Sequence, residues 1–228
     1  HLSIPAASDV YKRQIEYSID GVEQIQVNSR TGLTFANGLR SILRQDPDIL
    51  MVGEIRDAET ASIAVNTALT GHLLLSTLHT SDSASTLPRL VDMGIDAYLV
   101  ASTIKVAIGQ RLVRTICTAC KLNRATTESL IESIPRGTIA PRLSITEVVA
   151  IGEGCEKCHG TGYRGRVCIN EVLVADSDIR SAILRRAPAD ELKRIAIENG
   201  MTTMLDDGIE KVRSHITTIE EILRVTYE

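Results

Sequence analysis

Two apolar runs constrain this chain more than any other feature. "DILMVGE" (Asp48–Glu54) and "LLLSTL" (Leu73–Leu78) are short and do not alternate with polar residues. That is the pattern of strands buried on both faces. Between them Ala61, Ala64, Val65, Ala68 and Leu69 recur on one helical face. Asp57 is placed to cap that helix and Gly71 to end it. Strand, helix and strand with short joints make a βαβ unit, and therefore a parallel sheet of α/β type.

The flanks carry weaker signals. Gln24 to Val27 alternate as a half-buried strand, and "GLRSILRQ" is a short helix bearing Arg40 and Arg44. Pro47 stops that helix by disfavouring helical backbone at Asp46. Downstream the pattern predicts a helix around Leu87–Met93, with Pro88 either opening or kinking it. A longer helix is predicted from about Asp96 to Val113, then a cysteine-bearing insert, then a strand over "GRVCINEVLVAD". Asp176 to Glu228 reads as helical, with Pro188 at a first helical position and Gly200 as a stop. Thr217 or Thr218, followed by Glu220 and Glu221, starts the last helix. The opening "HLSIPAASDVYKRQ" (His1–Gln14) has no period. It is read as a cloning or sequencing scar, the alternative being a native disordered arm.

Composition excludes some functions. Apolar residues make up 43% of the 228, enough for a real core. A net charge of -4 and 3% aromatics argue against a nucleic-acid surface or a base-stacking platform. No apolar run approaches the roughly 18–20 residues that span a bilayer. With no signal peptide in view, a cytoplasmic, reducing setting is expected.

In an open α/β sheet, ligands bind at the carboxyl ends of the strands. Glu54 ends the first run and His79 follows the second. A carboxylate there can orient an attacking water or serve a magnesium ion, and an imidazole can meet a phosphate. The plainer alternative for Glu54 is a solvated turn or helix-start charge. His72 lies seven residues before His79, an odd number, so the two cannot face the same way along one strand. His72 therefore belongs at the strand entrance, and a His–His metal pair is not expected.

Cys117 and Cys120 form one C-x-x-C knuckle, and Cys155 and Cys158 another, about 34 residues further on. Two such knuckles point to a tetrahedral Zn2+ site of structural type. Disulfides or plain core cysteines are the alternatives, and a reducing setting disfavours the first. His159 allows a variant with three cysteines and one histidine, and Cys168 reads as a small buried apolar residue. Arg114, Lys121, Lys157 and Arg164 flank the cluster and could balance its charge.

"LRQDPDILMVGEIRD" followed by "TGHLLLSTLHTSDS" closely resembles the motor ATPases of type II secretion and type IV pilus assembly. The likeness extends over nearly everything from Ile15 onward. It implies a P-loop NTPase (RecA-like) parallel sheet, N-terminally truncated, with a tetracysteine zinc insert and a C-terminal helical subdomain. With the scar at 1–14 set aside, the partial ATPase core is expected over 15–113, the zinc insert over 114–170 and the helical subdomain over 171–228. Glu54 becomes the catalytic carboxylate of a Walker B strand, and His79 the phosphate-side residue of a histidine box. Ile15–Tyr17 resembles the tail of an acidic box, which would make Glu16 a second essential, catalytic carboxylate. Gly53 stands where many such strands carry a second acid, so magnesium must lean on other oxygens. Arg40, Arg44 and Arg56 become candidates for phosphate contacts or for ion pairs that fix Glu54, and His72 a further candidate nucleotide neighbour. ATP and Mg2+ are the implied cofactors. A homo-hexamer on an inner-membrane platform protein, peripheral to the membrane and not spanning it, is the implied assembly.

No G-x-x-x-x-G-K-[ST] occurs in the chain. The expectation is therefore a C-terminal piece holding part of a nucleotide site, itself unable to bind ATP tightly or hydrolyse it. The competing readings are a zinc-ribbon binding module and a motor relative that has lost catalysis.

Overall fold

The computed structural model of the chain describes residues 19–28, 31–125 and 148–227. The expectations for residues 1–14 and for Ile15–Tyr17, Glu16 among them, lie outside the described residues. The chain divides into two compact units. The first takes the residues up to Thr80, Thr86–Ile104 and Ile183–Arg186; the second takes Ser81–Ser85, Lys105–Ala182 and Ala187–Glu228. These borders do not coincide with 113/114 or 170/171.

The first unit opens on helix α1 (Phe35–Ile42), capped by the Thr34 hydroxyl, which accepts from the Asn37 N–H. A 3₁₀ turn follows, and Asp46 then adopts left-handed backbone, φ 51° and ψ 56°. Pro47 forbids Asp46 a helical conformation, and an aspartate tolerates the left-handed one. Strand β1 (Ile49–Val52), helix α2 (Ala58–Leu69) and strand β2 (Leu73–Ser76) form the expected βαβ unit, with β1 and β2 parallel. Asp57 caps α2 by accepting the Thr60 N–H at 2.8 Å. Ala61, Ala64 and Val65 are buried, and α2 packs on α1, β2 and α4 (Ala97–Thr103). Between them in sequence lies α3 (Thr86–Asp92), with Pro88 in its first turn.

Two expectations fail in this unit. Gln24–Val27 form no strand; among the described residues the β-pairing nearby is an isolated bridge between Asn28 and Leu33. Strand β1 is also not buried on both faces. Leu50 and Val52 are buried, whereas Ile49 and Met51 are 62% and 74% exposed. Register sets Ile49 beside Leu73 and Met51 beside Leu75, so one face of the pair is apolar and open.

The second unit is built on a long antiparallel ribbon, β3 (Val106–Ile116) with β6 (Tyr163–Val174). The expected helix therefore ends at Thr103, and Val106–Val113 belong to a strand. Ala107 and Val113 point into the core on alternating positions, and the strand pairs with a partner far along the sequence. Between them in sequence come β4 (Lys121–Ala125) and β5 (Val148–Gly152), paired antiparallel. Four helices follow in sequence: α5 (Ser177–Leu184), whose last two residues count with the first unit, α6 (Ala189–Glu198), α7 (Met204–Arg213) and α8 (Ile219–Tyr227). Pro188 is the cap residue of α6, one position earlier than expected. Val113, Val149, Ile169, Ile209, Val212 and Ile222 form the core beneath α7 and α8. Among the described residues no helix is long and apolar enough to cross a membrane.

Candidate functional site

The first site is the carboxyl end of the β1–β2 pair. Hydrogen bonding continues past the formal strand ends. The Thr77 hydroxyl donates to the Gly53 carbonyl at 2.6 Å, and the Ile55 N–H donates to the Thr77 carbonyl at 3.0 Å. That zipper brings Glu54 and His79 to the same rim. Glu54 Oε2 lies 2.6 Å from Arg56 Nε and 3.3 Å from His79 Nε2. The Glu54 side chain is 12% exposed and that of His79 is 80% exposed. Glu54 Oε1 is buried and has no hydrogen-bond partner among the described residues. One oxygen is thus engaged by the Arg56 guanidinium and the His79 ring while the other retains its full accepting capacity. A buried acceptor without a partner costs about 1–3 kcal/mol, so Oε1 suits a water or a hard cation that would satisfy it.

The remaining candidates are spread more widely. Arg56 takes the ion-pair role. Arg40 pairs instead with Glu59 at 2.8 Å, and Arg44 is exposed on the 3₁₀ turn after α1. His72 precedes β2, at the opposite end from His79, and its Nδ1 lies within hydrogen-bond distance of the Thr67 carbonyl and the Thr70 hydroxyl. A Cβ at Gly53 would meet open space, so the described residues do not themselves demand glycine there. Thr77 is a residue that sequence reasoning does not single out. A hydroxyl within an apolar strand is its one signal.

The second site is the cysteine cluster. Cys117 follows β3, Cys120 precedes β4, and Cys155 and Cys158 bracket a 3₁₀ turn after β5. All four Sγ atoms lie within 4.8 Å of one another. Three of the separations are 3.9 Å (Cys117–Cys155), 3.8 Å (Cys120–Cys158) and 3.7 Å (Cys155–Cys158). A tetrahedron with Zn–S bonds of about 2.3 Å has edges of about 3.8 Å. The spacing therefore fits a shared zinc ion and is far longer than a disulfide. Backbone N–H groups of Cys155 and Gly162 point at Cys158 Sγ, at 3.1 and 3.3 Å. Burial pushes the Cys158 thiol up, but those two donors and the neighbouring thiols outweigh it and bring it down to about 6. Burial, reinforced by the other thiols, pushes Cys120 up to about 12.

The knuckles approach closely enough to exclude side chains at their contact. The Cys117 N–H donates to the Gly162 carbonyl at 2.9 Å, and a Cβ at Gly152 or Gly162 would run into the other's backbone. His159 is exposed and outside the sulfur group, which removes the variant with a histidine ligand. Cys168 is half-buried on β6. Arg114 is engaged elsewhere, with Glu221 at 2.6 Å and over the Tyr163 ring.

The described residues thus combine a parallel βαβ unit, with an acid and an imidazole at its strand ends, and a four-cysteine cluster of a spacing that could hold a metal ion. The comparisons narrow that description. The chain belongs to the type II/IV secretion system protein family, whose sequence model matches residues 12–224. It is 46% identical over 220 residues to the type IV pilus assembly ATPase PilB of Thermus thermophilus, a match covering 94% of this chain and 24% of that protein. It is 47% identical over 214 residues to the type II secretion system protein E of Pseudomonas aeruginosa, covering 94% of this chain and 41% of that one. Among solved structures, the Legionella pneumophila ATPase DotB superposes with a TM-score of 0.60 at 27% identity, covering 92% of this chain and 48% of that chain. The chain thus spans a quarter to under half the length of these relatives.

Proposed function

We propose that this chain is the part of a motor ATPase that carries the hydrolytic carboxylate, acting in type IV pilus assembly or type II secretion. The observation that carries the reading is the Glu54 carboxylate at the rim of a parallel strand pair, with Oε1 open and Oε2 braced by Arg56 and His79. Support comes from relatives named as pilus and secretion ATPases.

In this reading Oε1 accepts a hydrogen bond from the attacking water and orients it. Arg56 fixes the carboxylate, and His79, exposed on the same rim, meets the terminal phosphate. ATP with Mg2+ supplies the phosphoryl group and the charge that offsets its oxygens. Among the described residues Glu54 belongs to no group of three or more metal-ligating side chains, so magnesium would draw its ligands chiefly from water, phosphate and residues of the P-loop NTPase core. Gly53, Arg40 and Arg44 remain further nucleotide-site candidates in this reading, as does Glu16, which is outside the described residues, whereas His72 lies at the far end of β2 and is not part of the rim. The four cysteines hold a structural Zn2+ and take no part in the chemistry. A hexameric ring seated on an inner-membrane platform protein, at the cytoplasmic face and peripheral to the membrane, is the assembly this reading requires.

The test is ATP hydrolysis by the whole protein that contains this chain. Glu54→Gln should lower kcat by about 10²–10⁴-fold, the range of a positioned general base, with melting temperature unchanged. A variant that hydrolyses ATP at the parent rate removes Glu54 from the chemistry.

A further inference from the structure

The strand ends that carry Glu54 and His79 are joined by a side chain to which the chemistry above gives no part. In the β1–β2 ladder Ile49 stands beside Leu73, Met51 beside Leu75 and Val52 beside Ser76. The Leu73 N–H donates to the carbonyl of Asp48, the residue before its partner, at 3.3 Å. In a parallel ladder a residue that donates to the residue before its partner accepts from the residue after it. Continued at the same spacing, the register sets Thr77 beside Gly53 and aims the Glu54 N–H at the Thr77 carbonyl. That carbonyl instead receives the N–H of Ile55, at 3.0 Å. One residue more is accommodated on the β1 side than on the β2 side, so the first strand bulges at Gly53 and Glu54. A bulge bends its strand and re-aims the side chain it carries.

The Thr77 hydroxyl donates to the Gly53 carbonyl at 2.6 Å. Glu54 is therefore gripped on both sides by one residue, through the hydroxyl at position 53 and through the carbonyl at position 55. Two residues further along, the same strand end carries His79, whose Nε2 lies 3.3 Å from Glu54 Oε2. All of these residues belong to the first unit.

Thr77 is exposed. An exposed hydroxyl–carbonyl bond adds little to stability, because water offers both groups a substitute. Its effect lies in direction: it fixes the backbone at the residue from which the carboxylate springs. We propose that Thr77 is a positioning residue for Glu54, its hydroxyl holding the bulge that turns the carboxylate to the rim. The proposal rests on the reading of Glu54 as the hydrolytic carboxylate.

The test uses the whole protein that contains this chain, as Thr77→Val, Thr77→Ser and Thr103→Val. Valine keeps the shape of threonine without the hydroxyl, and serine keeps the hydroxyl. Thr103→Val removes another hydroxyl–carbonyl bond of the first unit, the one donated to Leu99 within α4 at 2.8 Å. Without nucleotide, amide exchange over residues 52–56, read by mass spectrometry, should quicken in Thr77→Val and in neither of the other two. With saturating ATP and Mg2+, Thr77→Val should lower kcat by about 10–10²-fold, the cost of a misplaced group, while KM for ATP changes by about twofold or less. Thr77→Ser should recover most of that rate, and Thr103→Val should match the parent. In a Glu54→Gln background Thr77→Val should slow hydrolysis no further, because it acts through that carboxylate. If Thr77→Val does not fold, Thr77→Ala removes the same hydroxyl without setting a methyl group against the Gly53 carbonyl, and carries the same expectations. Unchanged exchange or a parent kcat in the variant without the hydroxyl, a serine variant equally slow, a rise in KM alone, or a full further loss in the Glu54→Gln background overturns the proposal. Parent-rate hydrolysis by Glu54→Gln would instead sink the functional reading, and exchange over residues 52–56 then decides whether Thr77 holds the bulge.

Discussion

At the scale of single residues, the rim is organised by an asymmetry within one side chain. Glu54 gives one oxygen to Arg56 and His79 and keeps the other without a partner among the described residues. Its placement depends on Asp57, which starts α2 two residues after Ile55 by capping the Thr60 N–H and hydroxyl. Asp57→Ala should cost about 1 kcal/mol, the usual worth of an N-cap. Urea unfolding of the two chains measures it, and an unchanged midpoint would show that the cap contributes nothing. Glu54, His79 and the four cysteines are legible in the sequence because strand ends and C-x-x-C spacing are local patterns. Thr77 is not, because its bond goes to Gly53, 24 positions away, which no local window connects.

At the scale of elements, the clearest departure is the stretch after α4. Val100, Ile104, Ala107 and Ile108 fit a helical face, so local pattern favours a helix running on to Val113. The ladder with β6 prevails from Val106, because burial of Ala107 and Val113 against a non-local partner outweighs local preference. The βαβ unit is legible for the opposite reason, since its partners are near neighbours. Strand β3 is further locked to α8. Glu221 accepts from the Arg114 N–H at 3.0 Å and pairs with the Arg114 and Arg224 guanidinium groups at 2.6 and 2.7 Å. Burial pushes the Glu221 carboxyl up, but Arg224 and Arg114 outweigh it and bring it from 4.5 down to about 2. A group depressed in the folded state stabilises above its unfolded value and loses that contribution as pH falls through the folded one. Between pH 4.5 and about 2 the chain should therefore lose stability on the order of 2 kcal/mol, after screening at the half-exposed arginines. Glu221→Gln should flatten that part of the stability–pH curve. A curve of the parent's shape in the variant would assign the acid loss to other carboxylates.

At the scale of the molecule, two units share one chain that crosses between them five times, at 80/81, 85/86, 104/105, 182/183 and 186/187. The cysteine cluster belongs wholly to the second unit, where the residue before Cys117, Ile116, also donates its N–H to the Ile216 carbonyl just ahead of α8. Metal analysis should find about one zinc per chain. Chelation should lower the melting temperature by about 5 °C or more and strip exchange protection from β4–β5 and α8, while α2 keeps its own. Equal loss in α2 would contradict the separation of the units, and no zinc in a reductively purified sample would remove the metal. The open face of the β1–β2 pair has a practical consequence as well. Ile49, Met51, Leu73 and Leu75 form one contiguous greasy surface in register. A patch of that kind makes a purified polypeptide adhesive. The chain should light up the dye ANS at neutral pH and cloud as it is concentrated. Met51→Lys should dim the dye and clear the solution, whereas equal fluorescence in both would place the dye somewhere else.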